Sequence, residues 1–183
     1  SAQFLREGVS LTEPPARVVD GRLAHSQLFA DRRLRRVLAA LDGDGEEVRI
    51  VGGSGRNALM GEELSDIDLA TTALPDAVQA RAAKAGLRTI PTGIEHGTIT
   101  VLVDGARFEV TTLRRDVDTF GRHAKVEFGR DLVADAHRRD FTMNALSVDA
   151  SGRIHDYCGG LDDIAARRVR FIGDAGLRIR EDY

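Results

Sequence analysis

The sequence has few of the features that indicate a secreted or membrane-bound protein. It contains a single cysteine, Cys158, which excludes an internal disulfide and fits a reducing compartment, so we expect a cytoplasmic protein. No apolar run approaches the roughly 18 residues that a transmembrane helix needs. Residues 1–7 lack the apolar stretch of a secretory signal peptide. We therefore expect neither a membrane partner nor export.

Lysine is also scarce, whereas arginine is abundant. The 26 basic residues include only two lysines, Lys84 and Lys125, so the others are all arginine. A GC-rich genome explains this bias, and so does a need for planar, permanently charged groups that bind phosphate. The 183 residues are 42% apolar and 30% charged, with a net charge of −3, which is typical of one folded domain. Composition alone does not decide between the two explanations.

Hydrophobic periodicity predicts one α+β domain with a mixed β-sheet flanked by helices. Leucine and valine at helical spacing predict a helix over 34–41, and Asp104-Gly105 between two β-rich runs predicts a hairpin. Residues 1–24 show no strong period and predict an irregular arm. The other predicted segments are helices at 57–60, 75–85, 131–144, 161–167 and from 175 onward, strands at 48–51, 65–71, 98–103, 107–113, 145–148, 154–157 and 169–172, and a loop at 114–130.

Three carboxylates on predicted strands are candidates for metal binding. Side chains alternate along a strand, so Asp66 and Asp68 share one face while their apolar neighbours enter the core. Glu109 faces away from the core in the same manner. Two carboxylates on one face repel each other unless a cation lies between them, and Mg²⁺ prefers oxygen ligands. A solvated acidic strand is the alternative that this pattern leaves open.

Glycines and arginines supply candidate phosphate ligands. The strand 48–51 runs into Gly52 and Gly53, where glycine lets backbone N–H groups approach a phosphate at the start of a helix. Arg138 and Arg139, on the predicted helix 131–144, can bind triphosphate oxygens with two hydrogen bonds each. Taken alone, this arginine pair is explained better by an exposed charged helix, and only its combination with the other motifs favours phosphate binding.

Taken together, the motifs resemble those of a known family. An apolar strand, a glycine turn and a D-x-D motif about ten residues later are the pattern of polymerase-β-like nucleotidyltransferases. The sequence is similar to the head domain of bacterial class II tRNA nucleotidyltransferases, the CCA-adding enzymes, over about residues 47–183. The matching segments are 52–57, 66–68, 93–98, 108–114, 138–145 and 159–163.

The resemblance implies a function and a set of site residues. It implies addition of CMP and AMP from CTP and ATP to tRNA 3′ ends, with Mg²⁺ as cofactor. Asp66 and Asp68 would bind the metal, and Glu109 would assist as the third carboxylate. Nucleotide binding would fall to Gly52, Gly53, Arg56, Arg138, Arg139 and Asp182. A poly(A) polymerase or A-adding enzyme of the same superfamily, and a non-catalytic nucleotide- or RNA-binding module, are the alternatives.

The resemblance also implies a domain division: an N-terminal arm at 1–24, a catalytic head at 25–173 and the start of a helical neck at 174–183. Asp182 matches the opening of the neck motif Glu-Asp-x-x-Arg, whose arginine would lie beyond Tyr183, so we expect a piece of a longer protein. The loop 114–130 is not shortened as in relatives that add only CC, which favours full CCA addition or A addition.

Two residues depart from the family's first motif. Gly55 stands where the family usually has valine, and Asn57 where it has aspartate. Glycine is expected to loosen the start of the helix, and asparagine removes a charge beside Arg56. The orientation of Arg56 is therefore the point at which the resemblance predicts least.

Overall fold

The computed structural model describes residues 16–20, 26–61, 66–117 and 125–173. The predicted strand residue Ser65, the centre of the predicted loop at 118–124, the helix from 175 onward and Asp182 lie outside these residues. So does most of the predicted arm.

A mixed sheet of eight strands forms the framework, as predicted. The strands, in chain order, are β1 (Arg17–Val19), β2 (Val48–Val51), β3 (Ile67–Thr71), β4 (Arg88–Gly93), β5 (Thr98–Val103), β6 (Ala106–Thr112), β7 (Arg114–Val117), β8 (Lys125–Phe128), β9 (Ser147–Asp149) and β10 (Ile154–Asp156). The order across the sheet is β1-β10-β9-β2-β3-β6-β5-β4, while β7 and β8 form a separate antiparallel pair. The β3–β6 pair is parallel and its neighbours in the sheet are antiparallel. The α+β class with a mixed sheet is therefore confirmed.

Six α-helices accompany the strands in the described residues. They are α1 (Gln27–Ala30), α2 (Arg32–Leu41), α3 (Gly53–Met60), α4 (Pro75–Lys84), α5 (Leu132–His137) and α6 (Gly160–Ala165), with short 3₁₀ turns at Ile94–His96 and Thr142–Asn144. Asp31 is the N-cap of helix α2, and its carboxylate accepts a hydrogen bond from the backbone N–H of Arg33 at 2.9 Å. Its predicted apolar face is buried in the main core with α4 and the strands behind them. None of the helices in the described ranges is long and apolar enough to cross a bilayer.

The two strands at the edges of the sheet were missed by sequence analysis. Residues 17–19 were predicted to be part of an irregular arm, but they form β1 and pair with β10. Strand β4 pairs with β5, contains Pro91 and is mostly exposed. An edge strand buries few side chains and tolerates proline, so its apolar alternation is weak.

Three other predictions were wrong in part. The predicted loop 114–130 contains β7 and β8, whose polar residues pair across the strands, as in the 3.2 Å ion pair of Arg115 with Glu127. The predicted helix 131–144 ends at His137, because Asp140 and Thr142 form backbone hydrogen bonds to the segment 170–172 instead. That segment, predicted as a strand, forms only an isolated bridge between Phe141 and Phe171.

Candidate active site

The candidate carboxylates lie side by side at the centre of the sheet. Asp66 directly precedes β3, Asp68 is the second residue of β3, and both are exposed, whereas Leu69 is buried. In the parallel pairing of β3 with β6, Asp68 lies opposite Glu109, which is also exposed. The predicted alternation is confirmed, and the strand pairing brings the carboxylates onto one face.

The electrostatics of Asp68 show that negative charge accumulates on this face. Partial burial raises the pKa of Asp68 above its usual value, and the neighbouring Glu109 and Asp66 raise it further. The positive charge of Arg139 opposes these effects without cancelling them. The carboxylates therefore repel one another in the absence of a cation.

The glycine turn lies next to these carboxylates. Val51, the last residue of β2, pairs with Asp68, so the turn at Gly52 begins beside the acidic face. Gly52 has φ 72° and ψ −144°, a conformation that essentially only glycine adopts. The hydroxyl of Ser54 donates a hydrogen bond to the backbone oxygen of Asp66 at 3.1 Å. Helix α3 is thus attached directly to the strand that carries the carboxylates.

Arg56 lies against the first turn of α3. A Cβ atom at Gly53 would lie 3.2 Å from Nη2 of Arg56, so glycine leaves room for the guanidinium group. Nε and Nη2 of Arg56 donate to Oδ1 of Asn57 at 3.0 Å each, and Nη1 donates to Oδ1 of Asn144 at 2.8 Å. Both acceptors are neutral amides. The guanidinium group is therefore oriented without losing its net charge to a carboxylate of the described residues.

The structure shows what the two residues that depart from the family's first motif contact. Asn57 supplies an oxygen that orients Arg56 although it carries no charge. Gly55 is buried, and a Cβ atom there would lie 3.3 Å from Cγ2 of Val148 on β9. The backbone of α3 therefore approaches the sheet closely at the position where the family usually has a β-branched side chain.

Arg138 and Arg139 are held in a different way, by a buried carboxylate. Asp135 on α5 is only 4% exposed. Its Oδ1 accepts from Nε of Arg138 at 2.9 Å, and its Oδ2 accepts from Nη2 of Arg139 at 3.1 Å. Both arginines lie just beyond α5 rather than on a continuing helix, so Asp135 orients them from one turn earlier.

Two cavities divide the predicted site residues. Asp68, Glu109, Arg138 and Arg139 line one cavity of about 230 Å³. Arg56 lines a second cavity, of about 710 Å³, between α3 and α6. The structure thus brings Asp68, Glu109 and the arginine pair into one cavity, with the glycine turn beside Asp68, and places Arg56 in the other cavity.

Sequence reasoning missed three residues that organise this site: Ser54, Asp135 and Asn144. The spacing of Asp135 from Arg138 and Arg139, three and four residues, is the signal of a helical ion pair and could have identified it. Asn144 contacts Arg56 across 88 residues of sequence, and no local pattern indicates that contact.

Comparison with known proteins agrees with the resemblance drawn from the motifs. The family model described as the poly A polymerase head domain matches residues 48–170. The mitochondrial CCA tRNA nucleotidyltransferase 1 of Danio rerio is 49% identical over 138 residues, which cover 75% of this chain and 32% of that protein. The chain therefore spans about a third of the length of this relative.

Solved structures show the same similarity. The Bacillus stearothermophilus CCA-adding enzyme in complex with CTP superposes with a TM-score of 0.71 and 38% identity, over 82% of this chain and 35% of that one. A tRNA nucleotidyltransferase complexed with a primer tRNA and an incoming ATP analogue gives a TM-score of 0.58 and 28% identity, over 70% and 36% of the two chains.

Proposed function

Since the chain belongs to the family of poly A polymerase head domains, we propose that it is the catalytic head of an enzyme that adds CMP and AMP to tRNA 3′ ends. The nucleotides would be CTP and ATP, and the acceptor would be tRNA. The observation that carries this proposal is the pairing of Asp68 with Glu109 beside the Gly52 turn, in one cavity with Arg139. The relatives solved with CTP, or with primer tRNA and an ATP analogue, support it.

The donor set fits Mg²⁺, which prefers oxygen ligands and is often held by one or two carboxylates together with substrate phosphates. Within the described ranges, no three His, Cys, Asp or Glu side chains are grouped as a complete metal-binding set. Asp66 and Glu109 nevertheless raise the pKa of Asp68, so negative charge that a cation could neutralise lies beside it. We propose that Asp66 and Asp68 hold Mg²⁺ and that Glu109 assists. When bound, Mg²⁺ would activate the attacking hydroxyl and stabilise the charge on the leaving group.

The chain's own residues bind and orient the nucleotide. Gly52 and Gly53 let backbone N–H groups approach the phosphates, and Arg56 places its charge at the same turn. Arg138 and Arg139 line the acidic cavity and bind phosphate oxygens there. The 3′-hydroxyl oxygen of the RNA then forms a bond to the α-phosphorus, and the bond between that phosphorus and the pyrophosphate oxygen breaks. Asp182 lies outside the described residues, and its role in nucleotide binding rests on the resemblance of its motif alone.

The test is incorporation of labelled CMP and AMP into a tRNA without its CCA end, using the natural protein that carries this chain. Asp66→Asn and Asp68→Asn should each lower incorporation of both nucleotides about 100-fold or more, the usual effect of losing one well-placed transition-state group. Asp76→Asn, an exposed carboxylate on α4, is the matched control and should leave incorporation unchanged.

The description of the matching family also favours one alternative, a poly(A) polymerase. Such an enzyme would add AMP alone and would extend RNAs other than tRNA, so CMP incorporation separates the two functions. Absence of any incorporation would instead favour a non-catalytic binding module. A cytoplasmic location stays a prediction from the cysteine content.

A further inference from the structure

Arg114 lies at the boundary between the acidic cavity and a neighbouring one. It is the first residue of β7 and follows the strand that carries Glu109. Its side chain lines the cavity of about 230 Å³ together with Asp68 and Glu109. It also lines an adjacent cavity of about 580 Å³, whose walls include Arg130 and Phe128.

The side chain of Arg114 has an unsatisfied buried donor. Its Nε is buried and has no hydrogen-bond partner, and no other buried side-chain nitrogen or oxygen of the described residues is in that state. Among the ion pairs of those residues, none includes Arg114, whereas Arg138 and Arg139 pair with Asp135. An arginine is always charged, and a buried charged donor without an acceptor is costly. Since no carboxylate of the described residues forms an ion pair with Arg114, the guanidinium group keeps its positive charge for an anion in the cavities that it lines.

We propose that Arg114 is a further substrate-binding residue and that its guanidinium group binds a phosphate oxygen. This inference rests on the proposed function. The planar guanidinium fork matches the geometry of a phosphate group, and its place beside Asp68 and Glu109 puts it where the phosphates of the reacting molecules must meet. The phosphate belongs to the incoming nucleotide or to the 3′ end of the RNA, because both would enter this cavity.

The next residue on the strand is a matched control. Arg115 carries the same charge, but its side chain is 73% exposed and pairs with Glu127 at 3.2 Å. Arg114→Met and Arg115→Met therefore remove equal charge at adjacent positions, and only the first removes the buried donor. Arg114→Lys keeps the charge and removes the fork, so it provides a second variant.

The experiment uses the 183-residue chain with Mg²⁺ and three probes: inorganic tripolyphosphate, CTP and an RNA oligonucleotide that ends like a tRNA lacking CCA. Calorimetry gives the affinities, and thermal unfolding without ligand gives Tm. We expect Arg114→Met to weaken the binding of tripolyphosphate and of CTP about tenfold, without lowering Tm. Arg114→Lys should recover part of the loss, and Arg115→Met should bind as the wild type does. Loss of oligonucleotide binding alone would assign the phosphate to the RNA.

Other outcomes overturn the inference. If Arg114→Met and Arg114→Lys bind all three probes as the wild type does, Arg114 is not a binding residue, although the proposed function stands. If both variants lower Tm with unchanged affinities, Arg114 has a structural role only. If the wild-type chain binds none of the probes, the proposed function fails and the inference fails with it.

Discussion

Two groups of carboxylates in this domain differ in how their charge is balanced. Asp163, on α6, is 0% exposed and accepts hydrogen bonds from the Thr142 hydroxyl, from Arg168 at 2.9 Å and from Arg170 at 2.8 Å. Burial acts to raise the pKa of Asp163, but these three partners outweigh it and hold the pKa below its usual value. The pKa of Asp68 is raised instead, because burial and Glu109 outweigh Arg139.

The arginines show the same contrast. Arg138 and Arg139 share the buried carboxylate of Asp135, whereas Arg56 is held by the neutral oxygens of Asn57 and Asn144. The balanced cluster of Asp163 joins α6 to Thr142 and to residues 168–170. Asp135, Arg138 and Arg139 lie instead within one segment and line the acidic cavity. Groups whose charge is not balanced lie around the glycine turn and the acidic cavity, where a charged ligand can complete them.

The largest expected effect comes from breaking the balanced cluster. Asp163→Asn removes the charged acceptor of two half-exposed arginines and should lower the free energy of unfolding by about 2 kcal/mol. The measurement is urea denaturation of the chain at neutral pH. Asp162→Asn is the control, because that neighbouring side chain is 72% exposed and its ion pair with Arg17 is worth only about 0.5 kcal/mol. Equal losses in the two variants would show that burial of the charge does not matter here.

A smaller effect is expected from adding charge to the neutral pair around Arg56. Asn57→Asp keeps an oxygen acceptor but neutralises the guanidinium charge, so tripolyphosphate and CTP should bind about fivefold more weakly, or roughly 1 kcal/mol. Asn57→Ala removes the acceptor of Arg56 without adding a charge. It therefore measures the effect of the orientation of Arg56 separately from the effect of its charge. Tighter binding by Asn57→Asp in calorimetry would contradict the role given to the neutral oxygens.

The smallest effect has the opposite sign to that of Asp163→Asn. The raised pKa of Asp68 means that the folded state favours the protonated form of this side chain. The contribution of the protonated Asp68 to the stability of the fold is therefore present at low pH and is lost as the pH rises through the pKa of the folded state. Without metal, Asp68→Asn should therefore stabilise the chain at pH 7 by no more than about 1 kcal/mol, because water screens this charge. Thermal unfolding at several pH values checks this expectation. A difference in Tm between Asp68→Asn and the wild type that persists at low pH would show that the effect has another cause.

Much of the framework was predictable because its signals are local. The helix 34–41, the Asp104-Gly105 hairpin and the inward alternation of β3 each follow from the spacing of apolar residues within one segment. The edge strand β4 and the end of α5 at His137 were not predictable in this way. Strand β4 buries little surface. The end of α5 depends on the backbone hydrogen bonds that Asp140 and Thr142 form with the segment 170–172, about 30 residues further along the chain.

The candidate site shows the same division between local and distant information. The sequence by itself determined which residues can carry the chemistry: two carboxylates on one face of a strand, a glycine turn before a helix and a pair of adjacent arginines. Only the tertiary structure decided that Asp68 lies opposite Glu109, that Asn144 orients Arg56 and that Asp135 is the buried partner of two arginines. Alternation along a strand is a property of the local backbone. The register between distant strands and the burial of a charge depend instead on how the whole domain packs.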